Sequence, residues 1–119
     1  MKSSKSLEIA KQFLGREVEI IIDRPLGSEH PEFGFVYEVN YGYIKGVKAP
    51  DGEDLDVYCL GWDKLLETAR GRVVAIIHRR DDDDDKLVVA KPGFNPGDTE
   101  IAALIKFQEK YFDSIILRD

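Results

Sequence analysis

Apolar residues recur at a helical period near each end of the chain. Residues 7–14 carry them on one face, with Ser6 before the stretch as a predicted N-cap and Gly15 after it as a predicted helix end. Asp98 precedes a second such stretch, 99–112, and could cap it. The pattern predicts a short N-terminal helix and a longer C-terminal one.

Short runs of β-branched and aromatic residues occupy the rest of the chain. The strongest is 72–78, and its expected partner is 87–90. Gly and Pro punctuate the intervals. We therefore expect a mainly β protein with α-helix (α+β), built as a small, twisted OB-like β-barrel of five or six strands with a C-terminal helix. The predicted strands are 18–23, 35–44, 55–60, 72–78, 87–90 and 114–117.

Composition favours one ordinary packed domain. The 119 residues include 17 Lys and Arg against 23 Asp and Glu, a net charge of −6, and 43% are hydrophobic. Without the unbroken run Asp81–Asp85 the net charge is only about −1, so the acidity is a local feature. A chain of this length buries about two thirds of its unfolded surface, which predicts a single domain over residues 1–119.

Cysteine content and hydropathy indicate a cytoplasmic protein. Cys59 is the only cysteine, which favours a reducing compartment, and with His30 and His78 it has no zinc-ligand spacing. The N-terminal residues lack a signal-peptide core, and no apolar run approaches the ~20 residues of a membrane span. The acid excess disfavours nucleic acid or an anionic membrane as a partner.

The turn 51–56 concentrates acidic residues: Asp51, Glu53, Asp54 and Asp56. These carboxylates repel one another unless a cation or open water separates them. Oxygen ligands on a turn before a strand suit a hard cation, Mg²⁺ above all. The alternative is a solvated acidic turn, and the turn alone does not decide between the two.

A second acidic turn, Asp81–Asp85 followed by Lys86, is expected at the tip of a hairpin. Taken alone, a charge run of this kind is more often a solvated surface. Its last residues also match an engineered protease site, but the run joins two predicted strands and no tag surrounds it. If the two acidic turns converge, they predict a two-metal site for phosphoryl transfer.

Three tyrosines, Tyr37, Tyr41 and Tyr43, lie at near-alternating positions and are expected on one face of a strand. Taken singly, each is more often a core residue. A tyrosine hydroxyl can also donate a hydrogen bond to a phosphate oxygen. Stacking of nucleic-acid bases is a further use, which the acid excess argues against.

Four stretches resemble signatures of the soluble Mg²⁺-dependent inorganic pyrophosphatases. The most specific are Val-Asn-Tyr-Gly-Tyr-Ile at 39–44 and Asp-Gly-Glu-Asp-Leu-Asp-Val at 51–57. Asp-Asp-Lys-Leu-Val at 84–88 resembles the second acidic loop of the family. Phe-Gln-Glu-Lys-Tyr at 107–111 resembles the helix with a phosphate-binding tyrosine. The resemblance covers roughly residues 18 to 112.

The resemblance implies a set of metal ligands. Asp51, Asp56 and Asp84 match ligands of the family, and Asp81 matches a further one. Asp23 matches the first metal-site glutamate of the family on weaker sequence grounds. The implied cofactor is Mg²⁺, with Mn²⁺ as a substitute.

The resemblance also implies catalytic and phosphate-binding residues. Glu53 matches the carboxylate that helps to activate the attacking water, where the family has Asp. Lys86, Tyr41 and Tyr111 match phosphate-binding residues, and Tyr37 matches another active-site tyrosine.

The chain departs from the family in its cations. Only 13 residues separate Asp23 from Tyr37, too few for the family's hairpin that supplies a Lys, a Glu and an Arg. In this respect it is similar to a short subgroup of the family. Phe112 stands where the family has Lys after the helical tyrosine. Arg24 is the best replacement on sequence grounds, and the other candidates are His30, Arg79 and Arg80.

The implied function is metal-dependent hydrolysis of inorganic pyrophosphate to phosphate, by in-line attack of a metal-activated water. The expected partner is therefore a small-molecule diphosphate, not nucleic acid or a membrane. Alternatives are a hydrolase of another diphosphate such as a nucleotide, and a metal- or phosphate-binding protein that has lost turnover. A non-specific nucleic-acid binder ranks last. The oligomeric state, including a homo-oligomer, stays open.

Overall fold

Six strands and two helices make up the described part of the chain. The computed structural model describes residues 5–48, 52, 54–82 and 84–118. In chain order the elements are α1 (Lys5–Lys11), β1 (Glu17–Arg24), β2 (Asn40–Lys48), β3 (Asp54–Leu60), β4 (Thr68–Arg79), β5 (Lys86–Ala90), α2 (Asp98–Glu109) and β6 (Ser114–Leu117).

The strands close into a five-stranded barrel. Their order is β1-β2-β3-β5-β4, and pairing of β1 with β4 completes the ring. β3 and β5 run parallel, the other pairs of the ring are antiparallel, and β6 adds to β4 outside the ring. The predicted OB-like barrel with a C-terminal helix is confirmed. Pairing of Ile77 with Lys86 places the described aspartates of the run, Asp81, Asp82, Asp84 and Asp85, at the tip of the β4–β5 hairpin, as expected.

The two faces of the sheet build two separate cores. Along β3, Leu55, Val57 and Cys59 belong to the first core, which α1 also contacts. The alternate residues Tyr58 and Leu60 belong to the second, which packs against α2. This follows from the period of two along a strand. Asp56 shares the face of Tyr58, so it lies on the α2 side of the sheet.

The predicted strand 35–44 is wrong in its first half. β2 begins only at Asn40, because the backbone before it pairs with the loop that follows β1. Tyr37 donates its N–H to the carbonyl of Ser28 and accepts the N–H of Gly27, each at 2.8 Å. Residues 26–37 thus form a small hairpin-like loop, with one isolated bridge between Glu29 and Val36.

Both predicted helix caps are wrong. Ser6 lies within α1, and its hydroxyl accepts the N–H of Asp85 at 3.3 Å. Gly97, not Asp98, is the N-cap of α2 and makes no side-chain capping bond. The carboxylate of Asp98 instead accepts a hydrogen bond from Arg118 at 2.9 Å. Within the described ranges, neither helix is long and apolar enough to cross a membrane.

Candidate active site

A cavity of about 680 Å³ opens beside the second core. Its walls come from the end of β1, the loop 26–37, the strands β2 to β5 and the last turn of α2. Charged and aromatic side chains dominate the lining: Asp23, Arg24, His30, Phe33, Phe35, Tyr37, Tyr41, Asp56, Arg79, Asp84, Lys86, Gln108, Tyr111 and Phe112.

A β-bulge directs two consecutive residues of β1 into this cavity. Ile22 pairs with Gly42 and Arg24 pairs with Tyr41, which leaves Asp23 as the extra residue. Consecutive residues of a regular strand point to opposite faces, and a bulge removes that constraint. Both Asp23 and Arg24 therefore line the cavity.

Beside the bulge, β1 packs so closely against β2 that only glycine fits at position 42, in the Asn-Tyr-Gly-Tyr motif. A Cβ atom on Gly42 would lie 2.0 Å from the carbonyl oxygen of Ile21. Any side chain at this position would push β1 away from β2. Gly42 therefore serves the close approach that holds Asp23 and Arg24 in place.

The asparagine of the same motif joins three segments of chain. The fully buried side chain of Asn40 accepts the N–H groups of Leu26 and Leu66 at 3.0 and 3.1 Å. It also donates to the carbonyl of Lys64 at 2.9 Å. Asn40 thus fixes the loop 26–37 relative to the barrel and has a structural role.

Lys86, Asp56 and Tyr41 form the centre of the cavity. Oδ2 of Asp56 accepts hydrogen bonds from Nζ of Lys86 at 2.8 Å and from the hydroxyl of Tyr41 at 3.0 Å. Nζ of Lys86 also lies 2.9 Å from Oδ1 of Asp84. The Lys86 side chain is 4% exposed, and a buried ammonium needs such partners to remain charged.

Burial raises the pKa values of two groups at this centre. It raises the pKa of Tyr41 well above its ordinary value, and the nearby charge of Asp56 adds to the effect. Tyr41 therefore stays protonated and remains a donor at neutral pH. Burial also raises the pKa of Asp23, again with a contribution from Asp56, whereas Arg24 lowers it. Asp23 and Asp56 are thus a like-charge pair in a partly desolvated place.

Arg79 supplies a second buried cation. Its guanidinium donates to both carboxylate oxygens of Glu109, at 3.1 and 2.7 Å, and packs 3.6 Å from the ring centre of Phe112. Nη1 of Arg79 lies 3.5 Å from Asp84. Burial lowers the pKa of Arg79, but the bonds and charge of Glu109 outweigh it and hold the pKa above its ordinary value. Arg79 is therefore charged at any physiological pH.

Phe112 stands where the family resemblance leads one to expect a lysine, and its ring packs against another cation. Its ring covers the flat face of the Arg79 guanidinium, a stacked arrangement that favours arginine over lysine. A cation thus reaches this side of the cavity from β4 instead of from the end of α2.

A buried chain of hydrogen bonds links the cavity wall to Arg79. Tyr37 donates its hydroxyl to Oε1 of Gln108 at 3.1 Å, and Nε2 of Gln108 donates to the hydroxyl of Tyr58 at 2.6 Å. Tyr58 donates to the Glu109 carboxylate that binds Arg79. Burial raises the pKa of Tyr58 well above its ordinary value, and Glu109 raises it further, so Tyr58 remains the donor.

Comparison with solved structures identifies the architecture. The crystal structure of the inorganic pyrophosphatase from Ehrlichia chaffeensis matches with a TM-score of 0.69 at 17% identity, over 88% of this chain and 87% of that one. The enzyme from Neisseria gonorrhoeae gives 0.62 at 18% identity, over 82% and 74%. The enzyme from Helicobacter pylori gives 0.60 at 14% identity, over 87% and 82%. This chain has the pyrophosphatase fold. No protein-family model and no curated protein sequence matches it.

Within this pyrophosphatase fold, the predicted site residues largely meet in one place. Nine of them lie in the described part of the chain, and eight of those nine line the cavity: Asp23, Arg24, Tyr37, Tyr41, Asp56, Asp84, Lys86 and Tyr111. Asp81 lies apart, and its carboxylate accepts the N–H of Asp113 at 3.1 Å. The other two predicted site residues, Asp51 and Glu53, lie outside the described residues.

Of the four candidate replacements for the missing cations, three line the cavity and one does not. Arg24, His30 and Arg79 line the cavity, whereas Arg80 is paired with Asp113 at the surface. Tyr43 was expected beside Tyr41 but is not a lining residue.

Sequence reasoning missed the roles of Gln108 and of the phenylalanines in the loop 26–37. Gln108 interrupts the apolar stripe of α2, a signal that could have located it. Phe33 and Phe35 belong to no motif that the sequence analysis used.

The donor chemistry of the cavity suits a hard divalent cation. Asp23, Asp56 and Asp84 offer carboxylate oxygens, and a divalent cation would relieve the repulsion between Asp23 and Asp56. Among the residues that the structure describes, however, no three His, Cys, Asp or Glu side chains are grouped closely enough to hold a metal ion. Lys86 and Arg79 already lie against two of these carboxylates.

Proposed function

We propose that this protein hydrolyses the phosphoanhydride bond of a diphosphate with the help of Mg²⁺, and that inorganic pyrophosphate is the first substrate to test. The observation that carries the proposal is the convergence of eight predicted site residues on one cavity of a pyrophosphatase fold. These residues come from elements far apart in sequence, and the sequence alone predicts them as site residues.

The metal would be held by carboxylates at the centre of the cavity. Asp56, Asp84 and Asp23 are the proposed ligands from the described residues, and Asp51 completes the set that the family resemblance implies. A bound Mg²⁺ would polarise the phosphate oxygens and lower the pKa of a ligated water. The ammonium of Lys86, 2.8 Å from Asp56, would bind the substrate phosphate beside the metal.

Glu53 is the proposed general base. As the resemblance implies, its carboxylate would orient the water and accept its proton, and the extra methylene relative to Asp lengthens its reach. The water oxygen attacks one phosphorus in line, and the bridging oxygen leaves with the other phosphate.

The cations and hydroxyls of the cavity are proposed to bind the phosphates. Lys86 and Arg24 would neutralise the charge that develops on the leaving phosphate, and Tyr41 and Tyr111 would donate hydrogen bonds to its oxygens. Tyr37 supports the site from the wall, where Gln108 holds its hydroxyl. Lys86 and Tyr41 are buried, and donors of this kind act more strongly where water is excluded.

Release of phosphate from pyrophosphate tests the proposal. We expect the purified protein to release phosphate in excess Mg²⁺ and to stop when EDTA is added. A protein that releases none from pyrophosphate or from any other diphosphate is not a hydrolase of this class. Saturable binding of a diphosphate without turnover would instead favour a binding protein that has lost catalysis.

A further inference from the structure

Aromatic rings line the mouth of the cavity, and the most exposed of them, Phe33, has no part in the proposed binding of a diphosphate. Phe33 is 72% exposed and Tyr111 is 59% exposed. They are two of the four large hydrophobic side chains that lie exposed in the described part of the chain, and both line the cavity. Exposed rings grouped at the rim of a polar site indicate a ligand with an apolar face.

Contacts within the loop 26–37 position Phe33 beside two other rings, those of His30 and Phe35. The ring of His30 stacks on Phe33 and packs against Phe35, with 4.8 Å between ring centres in each case. Nδ1 of His30 accepts the N–H groups of Glu32 and Phe33, each at 3.1 Å. Rotation of the His30 ring would break both of these bonds.

The same loop closes through a glycine. Gly34 adopts a φ of +76°, and its N–H donates to the carbonyl of His30 at 3.1 Å. This turn carries Phe33 at its tip. The backbone that carries Phe33 is thus held by hydrogen bonds on both sides, which lowers the entropy cost of ordering the loop around a ligand.

A continuous row of rings leads from this rim to the polar centre. Phe35 lies 5.5 Å from Tyr37, and Tyr37 lies 5.3 Å from Tyr41, between ring centres. Tyr41 then donates to Asp56 at the centre. The cavity volume of about 680 Å³ lies within the usual range for organic ligands and exceeds the need of two phosphate groups.

We propose that the rings of Phe33, His30 and Phe35 form a subsite for the base of a nucleoside diphosphate, whose diphosphate occupies the centre at Lys86 and Asp56. The inference rests on the proposed function and names its substrate class. A flat heteroaromatic base has the shape and polarisability to stack on the exposed face of Phe33. Its diphosphate carries the charge that the cavity's cations are placed to bind.

The reaction at this site is the hydrolysis already described, with an organic leaving group. Water adds its oxygen to the terminal phosphorus, and the bond from that phosphorus to the bridging oxygen breaks. The bridging oxygen leaves on the nucleoside monophosphate, and the water proton passes to the general base. The products are a nucleoside monophosphate and inorganic phosphate.

Paired analogues that cannot be hydrolysed test the subsite. Calorimetric titration in Mg²⁺ would compare α,β-methylene-ADP and α,β-methylene-UDP with methylenediphosphonate, which has no base. Loss of stacking on one aromatic ring costs about 5- to 150-fold in affinity. We expect the nucleotide analogues to bind at least about tenfold more tightly than methylenediphosphonate.

Substitutions of Phe33 test whether its ring causes this difference in affinity. Phe33→Ala and Phe33→Leu should remove most of the advantage of the nucleotide analogues, because neither keeps a flat face, and Phe33→Tyr should retain it. Leu65→Ala removes another exposed apolar side chain, 64% exposed and outside the cavity lining, and should change neither affinity.

The outcomes separate the subsite from the proposed function. Equal affinity of all three analogues, with no effect of Phe33→Ala, overturns the base subsite and leaves the diphosphate site standing. Failure of every analogue to bind in Mg²⁺ overturns both. Tighter binding of the nucleotide analogues that survives in Phe33→Leu would also overturn the assignment, since a non-planar side chain would then suffice.

Discussion

Nζ of Lys86 lies 2.8 Å from Oδ2 of Asp56, although the two residues are 30 positions apart in sequence. Their strands, β3 and β5, run parallel, and the register pairs Val57 with Leu87. Asp56 and Lys86 directly precede these two residues, so they are neighbours at the same end of the two strands. This register joins the two acidic turns, since Asp84 contacts the same ammonium group at 2.9 Å.

Removal of the Asp56 carboxylate should weaken metal binding. A metal that binds only the folded state raises the melting temperature by mass action, so Mg²⁺ or Mn²⁺ should raise that of the parent protein. Asp56→Asn should lose most of the shift, as measured by thermal unfolding with and without the metal. Asp54→Asn is the matched control, because Asp54 is on the same strand but pairs with Lys48 outside the cavity. Equal shifts in both variants would mean that Asp56 is not a ligand.

Loss of Arg24 should slow catalysis and spare metal binding. Arg24 enters the cavity through the bulge after Asp23 and is the proposed cation for the leaving phosphate. Arg24→Ala should lower the rate of phosphate release by about 10²-fold or more, the usual effect of losing one preorganised donor. The metal-induced rise in melting temperature should persist. Arg80→Ala is the control, since Arg80 is bound to Asp113 at the surface, and similar rates in the two variants would refute the role of Arg24.

The ion pair between Arg79 and Glu109 should matter for stability because both side chains are about 95% buried: their exposed fractions are 4% and 5%. Glu109→Ala leaves the Arg79 charge without its main partner and should lower the free energy of unfolding by about 3 kcal/mol or more. Asp113→Ala breaks the exposed pair with Arg80 and should cost about 1 kcal/mol or less. Urea unfolding of the two variants would measure the difference, and equal losses would contradict the buried arrangement.

Cys59 should make stability depend on pH in the alkaline range. Burial raises its pKa to about 12 in the folded state, whereas an exposed thiol titrates near ~8.5. Above pH ~8.5 the unfolded chain loses this proton and the folded chain keeps it, so the free energy of unfolding falls as pH rises. Between pH 8 and 10 the parent should lose about 2 kcal/mol more than Cys59→Ala in urea unfolding. Parallel losses in the two proteins would mean that the thiol is accessible when folded.

The barrel could be predicted from local patterns, and the residues proposed for the site could be predicted from motifs that resemble those of a known family. Runs of β-branched and other apolar residues indicate the strands β1, β3, β4, β5 and β6, and the motif residues Tyr41, Asp56 and Lys86 fall on strands that the barrel brings together. The strand 35–44 was predicted too long, because the aromatic pattern does not reveal that backbone groups near Tyr37 bond to the preceding loop.

The long-range contacts could not be predicted from the sequence. The bulge at Asp23 depends on strand register, and the stacking of Arg79 on Phe112 depends on how α2 ends against β4. Asp81 illustrates the same limit within the aspartate run. Five identical residues do not indicate which side chains turn inward, and the hairpin geometry directs Asp84 into the cavity and Asp81 towards Asp113.

Phosphate release from pyrophosphate in Mg²⁺ tests the proposed hydrolysis most directly. It is measured on the parent and on Asp56→Asn, purified side by side. The paired variant matters because a trace of pyrophosphatase from the expression host would give both preparations the same activity. We expect steady release by the parent and a rate lower by about 10²-fold or more in Asp56→Asn. Equal rates in the two preparations, or no release by the parent, would contradict the proposed hydrolysis.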